Sequence, residues 1–349
     1  MCDSIQATDF DIVLLGRKLS DSKDITNRNY KTRRFNLPFT KGAFFYASLN
    51  IRLFFYLLFH KADVLLANDL DTLLANYLVS KIKRIPLVYD SHEYFTEVPE
   101  LEGRKAKQIW LSIEKWIFPK LTDVITVNTS IADIYSAKYG NSISIIRNLP
   151  NKLNDFEPLS KKELNIEHID KYIILQGAGI NIDRGAEELV EAMRDIYNVK
   201  LLIVGNGDVI PKLKLEVVKS KLKDKIVFIE KQDHKRLMSY TYHAELGLSL
   251  DKDSNMNYRF SLPNKIFDYI NMGIPILVSD LVELRNIVDK YDVGRVLNEH
   301  SPKDIAKQIN EMMSQDYKSL KKANLAKATK ELNWESQESI IKDIYSKFL

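Results

Sequence analysis

A chain of 349 residues, 45% apolar and 28% charged, has enough material for two domains with separate cores and is neither disordered nor fibrous in composition. Its net charge of +4 permits attraction to phosphates or to an anionic membrane face, but no motif that reads DNA or RNA is present, so no nucleic-acid partner is expected. Cys2 is the single cysteine, which excludes a disulfide within the chain and fits a reducing compartment.

The start, MCDSIQATDFD, holds three aspartates and no apolar core, so a cytoplasmic protein without a secretory signal is expected. From residue 10 short β-branched runs alternate with helical periods: FDIVLLG, a helix at 43–59, ADVLLAND, the helix LDTLLANYLVSKIK, and IPLVYDSHE. KAKQIWLSIEKWIFPKL, DVITVN, TSIADIYSAKYG and ISIIRN continue the alternation. This order predicts a parallel sheet covered on both faces. A doubly wound domain normally opens with a strand, a glycine-rich turn and a full helix. Only MCDSIQAT precedes FDIVLLG, so the first domain is expected to be N-terminally incomplete.

Residues 149–168 hold two prolines, several asparagines and little periodicity, which places a domain boundary there. The pattern restarts with YIILQGAG, EELVEAMRDI, VKLLIVGNG, a lysine-rich helix, IVFIE, HKRLMSYTYHA, LGLSLD, LPNKIFDYINMG, PILVSD, LVELRNIVDKY and VGRVLN. Three helical stretches follow. The expected organisation is a domain over 1–150, a linker over 151–168, a second domain over 169–332, and a C-terminal helix over 333–349 packing back on the first domain. Two such α/β domains facing a cleft bring ligands to the carboxyl ends of their strands.

Several constellations after strands carry chemistry. Gly177 and Gly179 follow one strand and Gly205 and Asn206 another, where bare backbone lets a ligand come close. A dinucleotide fingerprint would need a third glycine at 182, which is Ile182, so NAD is disfavoured. Arg184 stands before the helix EELVEAM. Lys265, with Pro263 and Asn264, stands at the mouth of the helix that Gly273 ends. Two cations at two helix starts read as a phosphate or diphosphate site, since helix N-termini already favour anions. His92, beside Glu93 at a strand end, is a candidate for positioning a sugar hydroxyl or sharing a proton.

Asp69 and Asp71 match a metal-binding D-x-D pattern, although an acidic residue at a helix start has the ordinary role of capping. The stretch 17–35 carries Arg17, Lys18, Lys23, Arg28, Lys31, Arg33 and Arg34 against Asp21 and Asp24. Beside the aromatic helix at 43–59 it either docks on anionic lipid or is a solvated loop next to a buried helix, the simpler account.

VYDSHEYFTEVPEL, GAGINIDRGAEELVEAM, LIVGNGD and LPNKIFDYINMGIPILVSD, in that order over nearly the whole chain, resemble a bacterial glycosyltransferase family 4 protein with the GT-B fold. The resemblance implies a nucleoside-diphosphate sugar donor (UDP or GDP), a polysaccharide or lipid-linked acceptor, retention at the anomeric carbon, no obligatory metal or other cofactor, and peripheral contact with the inner membrane face. By it, Arg184 holds phosphate, Asp268 holds the ribose in place of the second glutamate of E-x7-E, and His92 lies near the donor sugar. Phe260 stands at the first glutamate position, and Ala178 where an arginine is common. The family also opens with a strand and a glycine-bearing loop that MCDSIQATDFD does not match. Rival readings are a nucleotide-sugar epimerase of the same fold and a non-catalytic sugar-nucleotide-binding or membrane scaffold.

Overall fold

The computed structural model describes residues 1–349 apart from Lys23, Thr26, Asn27 and Asn154. Lys23 of the basic stretch thus lies outside the described residues. The chain divides into two compact units, Met1–Arg147 with Gln337–Leu349, and Asn148–Ser336.

The first unit runs α1 (Cys2–Gln6), β1 (Val13–Lys18), β2 (Lys31–Asn36), α2 (Gly42–Phe59), β3 (Leu65–Asn68), α3 (Leu70–Lys83), β4 (Leu87–Ser91), α4 (Lys105–Ile117), β5 (Asp123–Thr126), α5 (Thr129–Tyr139) and β6 (Ile143–Ile145). All its strand pairs are parallel, in a two-stranded sheet β1-β2 and a four-stranded sheet β3-β4-β5-β6. One helix, α2, packs on the two-stranded sheet and on α3. Phe45, Leu49 and Leu53 on one side of α2 pack with Leu15 of β1, Phe35 of β2 and Ala75 of α3. The opposite side of α2 is exposed, so this helix is not the fully buried one expected of an apolar segment in a doubly wound domain. Its pattern is apolar nearly all round, which does not reveal the buried face. Local chemistry sets the other boundaries: Asn128 caps α5 by accepting from the Ile131 N–H at 2.9 Å, and Gly140, in the left-handed region, ends it.

In the second unit β7 (Tyr172–Gly177), α6 (Ala186–Ala192), β8 (Lys200–Gly205), α7 (Ile210–Lys219), β9 (Ile226–Ile229), α8 (His234–Tyr242) and β10 (Leu246–Ser249) come first. Then follow α9 (Met256–Arg259), α10 (Lys265–Asn271), β11 (Ile276–Val278), α11 (Val282–Tyr291), β12 (Gly294–Val296), α12 (Pro302–Ser314) and α13 (Tyr317–Glu331). The six strands are parallel in the order β12-β11-β10-β7-β8-β9. Counted within the unit this is the doubly wound order 3-2-1-4-5-6, with its reversal between β7 and β10. Apolar runs such as Tyr172–Leu175 and Leu201–Val204 are buried because helices cover both faces: α6, α7 and α12 on one, α8, α10, α11 and α13 on the other. Leu164 and Ile166, within the stretch read as a linker, belong to this second core.

The last helix, α14 (Glu338–Ser346), belongs to the first unit. Ser4 Oγ of α1 donates to Glu338 Oε1 at 3.4 Å, the Phe10 ring meets Tyr345 edge-on at 5.9 Å, and Lys347 pairs with Asp123.

Candidate active site

The two glycine turns after β7 and β8 lock together. Gly177 and Gly205 are register partners, and Gly205 has φ +137° with no room for a Cβ, which would lie 1.8 Å from the Gly177 carbonyl oxygen. The Asn206 N–H donates to that same oxygen at 3.2 Å, and the Asn206 carbonyl accepts from Ile180 N–H at 2.9 Å. Asn206, a candidate ligand residue, therefore works first through its backbone, shaping the loop that carries Gly179. Gly177 and Gly179 differ from Gly205. A Cβ on either would meet nothing closer than 3.7 Å, so internal packing does not require glycine there. What their bareness leaves free is the outer side of the turn.

The cations converge. Gly185, the N-cap of α6 at φ +75°, is pressed against the chain just past β10 so closely that a Cβ would lie 2.0 Å from the Leu250 oxygen. This contact sets Arg184 beside Asp251, just past the end of β10. Arg184 Nη1 donates to Asp251 Oδ1 at 2.8 Å, Lys265 Nζ lies 3.6 Å from Oδ2, and Ser249 Oγ donates to Oδ2 at 3.2 Å. Tyr258 flanks Arg184 with its ring 4.1 Å from the guanidinium carbon. Burial pushes the Asp251 carboxyl up, but Lys265 and Arg184 outweigh it and hold the group below the usual carboxylate range. Burial lowers the Lys265 ammonium, and Asp251 only partly offsets this. Two cations sharing one carboxylate leave a net positive charge at the site.

The helix ends contribute less than their positions imply. α6 and α10 are seven residues each, and the first turn of α6 already holds Glu187 and Glu188. Anion binding here rests on the side-chain cations. Arg184 Nε, Ser261 Oγ and Ser279 Oγ are buried with no partner among the described residues, as groups awaiting a polar ligand would be.

Asn264 is the N-cap of α10 in right-handed helical geometry, with no capping bond from its own side chain. Asp268, one turn in, accepts from Gln176 Nε2 at 2.9 Å, and Gln176 Oε1 accepts from Thr241 Oγ1 at 2.6 Å. Burial raises Asp268 to about 7. It is a carboxyl short of donors. Phe260 directly follows α9 and Ala178 is exposed in the glycine turn, so neither position holds a charge.

His92 belongs to the first unit, just beyond β4. Its partner is Asp90, not the neighbouring Glu93: Nε2 lies 3.0 Å from Asp90 Oδ2, with the ring 45% exposed and the carboxylate 4%. That hydrogen bond raises His92 to about 9. The His92 backbone N–H donates to Asp69 Oδ1 at 2.9 Å, and the Asp69 N–H donates to the Asp90 carbonyl at 2.8 Å. Asp69 occupies the N-cap of α3 at φ +56°, but its carboxylate ties down the His92 loop and does not cap. Asp71 lies in the first turn of α3, with burial raising it to about 6. Among the described residues no group of three or more His, Cys, Asp or Glu could hold a metal.

Sequence reasoning missed Asp251, Gln176, Tyr258 and Asp90. Asp251 stands just past the carboxyl end of a strand, and Asp90 two residues before His92, so both left a readable signal.

The second unit is thus a doubly wound α/β unit with Arg184 and Lys265 paired on Asp251 at its switch point. The chain belongs to the glycosyltransferases: the model described as glycosyl transferases group 1 matches residues 158–332, half of the chain, and that of glycosyltransferase family 4 matches 1–149. Its structure is similar to that of sucrose-phosphate synthase from Thermosynechococcus elongatus, with a TM-score of 0.80 and 18% identity over 99% of this chain and 90% of that one. It is also similar to Anabaena Alr3699/HepE in complex with UDP, with a TM-score of 0.70 and 15% identity over 91% and 86%. These likenesses carry the GT-B fold. A curated relative, chitobiosyldiphosphodolichol beta-mannosyltransferase of Candida albicans, is 25% identical over 214 residues, 55% of this chain and 46% of that one. The chain thus spans less than half the length of that relative.

Proposed function

We propose that the chain is a retaining, metal-independent glycosyltransferase that moves a sugar from a UDP- or GDP-sugar to a lipid-linked or polysaccharide acceptor, peripheral at the cytoplasmic face of a membrane. One observation carries the reading: Arg184 and Lys265 converge on Asp251 at the switch point of the second unit, beside the bare turn of Gly177 and Gly179. The donor diphosphate lies on these cations and on the backbone around Asn264, and the ribose on Asp268. A metal-free departure of diphosphate develops negative charge that only such groups can absorb. A similar protein was solved with UDP, and a relative's name describes a dolichol-diphosphate-linked glycan, which supports both the donor and the acceptor class.

Retention at the anomeric carbon is part of this reading, as the family resemblance implies. His92, with Nε2 3.0 Å from Asp90 Oδ2, is the first unit's candidate for positioning a sugar hydroxyl. A departing phosphate oxygen takes the acceptor proton on the same face.

The test is a thermal melt with UDP, GDP, CMP and NAD, followed by donor hydrolysis and acceptor assays. A nucleotide at a hundred times its dissociation constant adds about 2.7 kcal/mol. UDP or GDP alone should shift the melt, and Lys265→Ala should cost about 100-fold in kcat/KM. A loss of only a few-fold counts against this placement, conversion of the free donor without acceptor marks an epimerase, and binding without turnover marks a scaffold.

A further inference from the structure

The outward side of α2 is an organised apolar surface. At 100° per residue, Phe44, Ile51, Phe55 and Phe59 fall within an arc of about 80°, and none is covered: Phe44 is 71% exposed and Phe59 77%. Phe39 extends the stripe by packing on Phe44 at 5.4 Å, and Phe55 stacks on Phe59 at 6.4 Å. Contiguous exposed aromatic surface of this kind marks an interaction site.

Its surroundings identify the partner. From Lys31 to Ala62 the chain carries Lys31, Arg33, Arg34, Lys41, Arg52 and Lys61 and no acidic residue. Among the described residues no carboxylate pairs with Lys31, Lys41, Arg52 or Lys61. Arg33 of β2 stacks on Tyr56 of α2 at 5.0 Å, and Arg52 of α2 on Phe35 of β2 at 5.5 Å. A second copy set against this face would oppose like charges, so self-association is disfavoured. α2 is long and apolar enough to cross a membrane, but Phe45, Leu49 and Leu53 on its opposite side pack in the protein core, which favours a helix lying flat over one that spans.

We propose that α2 lies flat in the surface of an anionic lipid bilayer, with the Phe44, Ile51, Phe55 and Phe59 stripe at the acyl boundary and the surrounding cations on headgroup phosphates. This deepens the membrane-side reading of the proposed function by naming the docking surface and the lipid charge. It is tested without donor or acceptor, so either can fail alone.

The full chain is mixed with phosphatidylcholine vesicles with and without about a third phosphatidylglycerol, and bound protein is read by flotation. Binding should require the anionic lipid and weaken sharply at about 0.5 M salt. The double variant Phe55→Ser and Phe59→Ser removes only exposed side chains, so it should keep the wild-type melt and nucleotide shift while losing about tenfold or more in vesicle binding. Lys41→Gln with Lys61→Gln should weaken it less and flatten the salt dependence. Absence of binding to anionic vesicles, or equal binding by the double variant, overturns the proposal. So does a concentration-dependent dimer that the double variant abolishes, which would make a second copy the occupant.

Discussion

Arg184 Nη1 lies 2.8 Å from Oδ1 of Asp251, a carboxylate with no exposed surface that Lys265 approaches from its other oxygen. The carboxylate neutralises one of two cations that would otherwise repel each other in a semi-buried site, and it fixes both in position for an incoming anion. Removing one partner of a buried ion pair costs about 3–5 kcal/mol. Asp251→Ala should therefore destabilise the second unit by that order. A bound nucleoside diphosphate resupplies the negative charge, so its melt shift should be larger in the variant than in the wild type. An unchanged melt, or a smaller shift, would show that Asp251 does not balance these cations.

The His92 imidazole should titrate with a midpoint near 9, as read by NMR of the labelled ring. Asp90→Asn removes the bond that raises it, and the midpoint should fall towards its ordinary value of 6.5, with burial then lowering it against the remaining charges of Asp69 and Glu93. The sign follows from the raised folded value. Stabilisation by the pair is complete below about pH 6.5 and is lost as pH rises through about 9. Transfer activity that depends on the cation should fall over the same upper range in the wild type and near neutrality in the variant. Coincident pH profiles would sink the assignment.

Asp268 has the opposite consequence. Burial raises its carboxyl from 3.8 to about 7, so the folded state binds the extra proton and stability falls as pH rises from about 4 to 7. Asp268→Asn should raise stability at pH 8, by a few kcal/mol at most, and flatten that dependence. Ribose hydroxyls that donate to the carboxylate would favour its ionised form. Nucleotide binding near neutrality should then release protons, seen by calorimetry in buffers of different ionisation enthalpy. Release that persists in Asp268→Asn would mean that the ribose does not sit there.

The glycines divide into two kinds that alanine substitution separates. Gly205→Ala forces a Cβ into the Gly177 carbonyl and should lower the melt severely, whereas Gly177→Ala meets nothing closer than 3.7 Å. The second variant should fold normally and bind nucleotide poorly, because its methyl group occupies the outer side of the turn. Normal nucleotide affinity in Gly177→Ala would remove the turn from the site.

The sequence by itself determined the β–α alternation, the parallel sheets, the glycine turns and the two cations at helix starts, because each depends on residues within a few positions. Apolar runs, a proline before Asn264 and a glycine after α10 act through local backbone geometry. Only the tertiary structure decided which charges meet. Asp251 is 67 residues from Arg184, and Gln176 is 92 from Asp268, distances that the return of the chain across the sheet closes. Asp90, two residues before His92, was within reach of sequence reading, but the pairing with Asp90 over Glu93 was made where the chain bends just past β4. The exposed side of α2 was equally beyond sequence reading: a helix apolar nearly all round has no preferred buried side until the strands and α3 packed against it choose one.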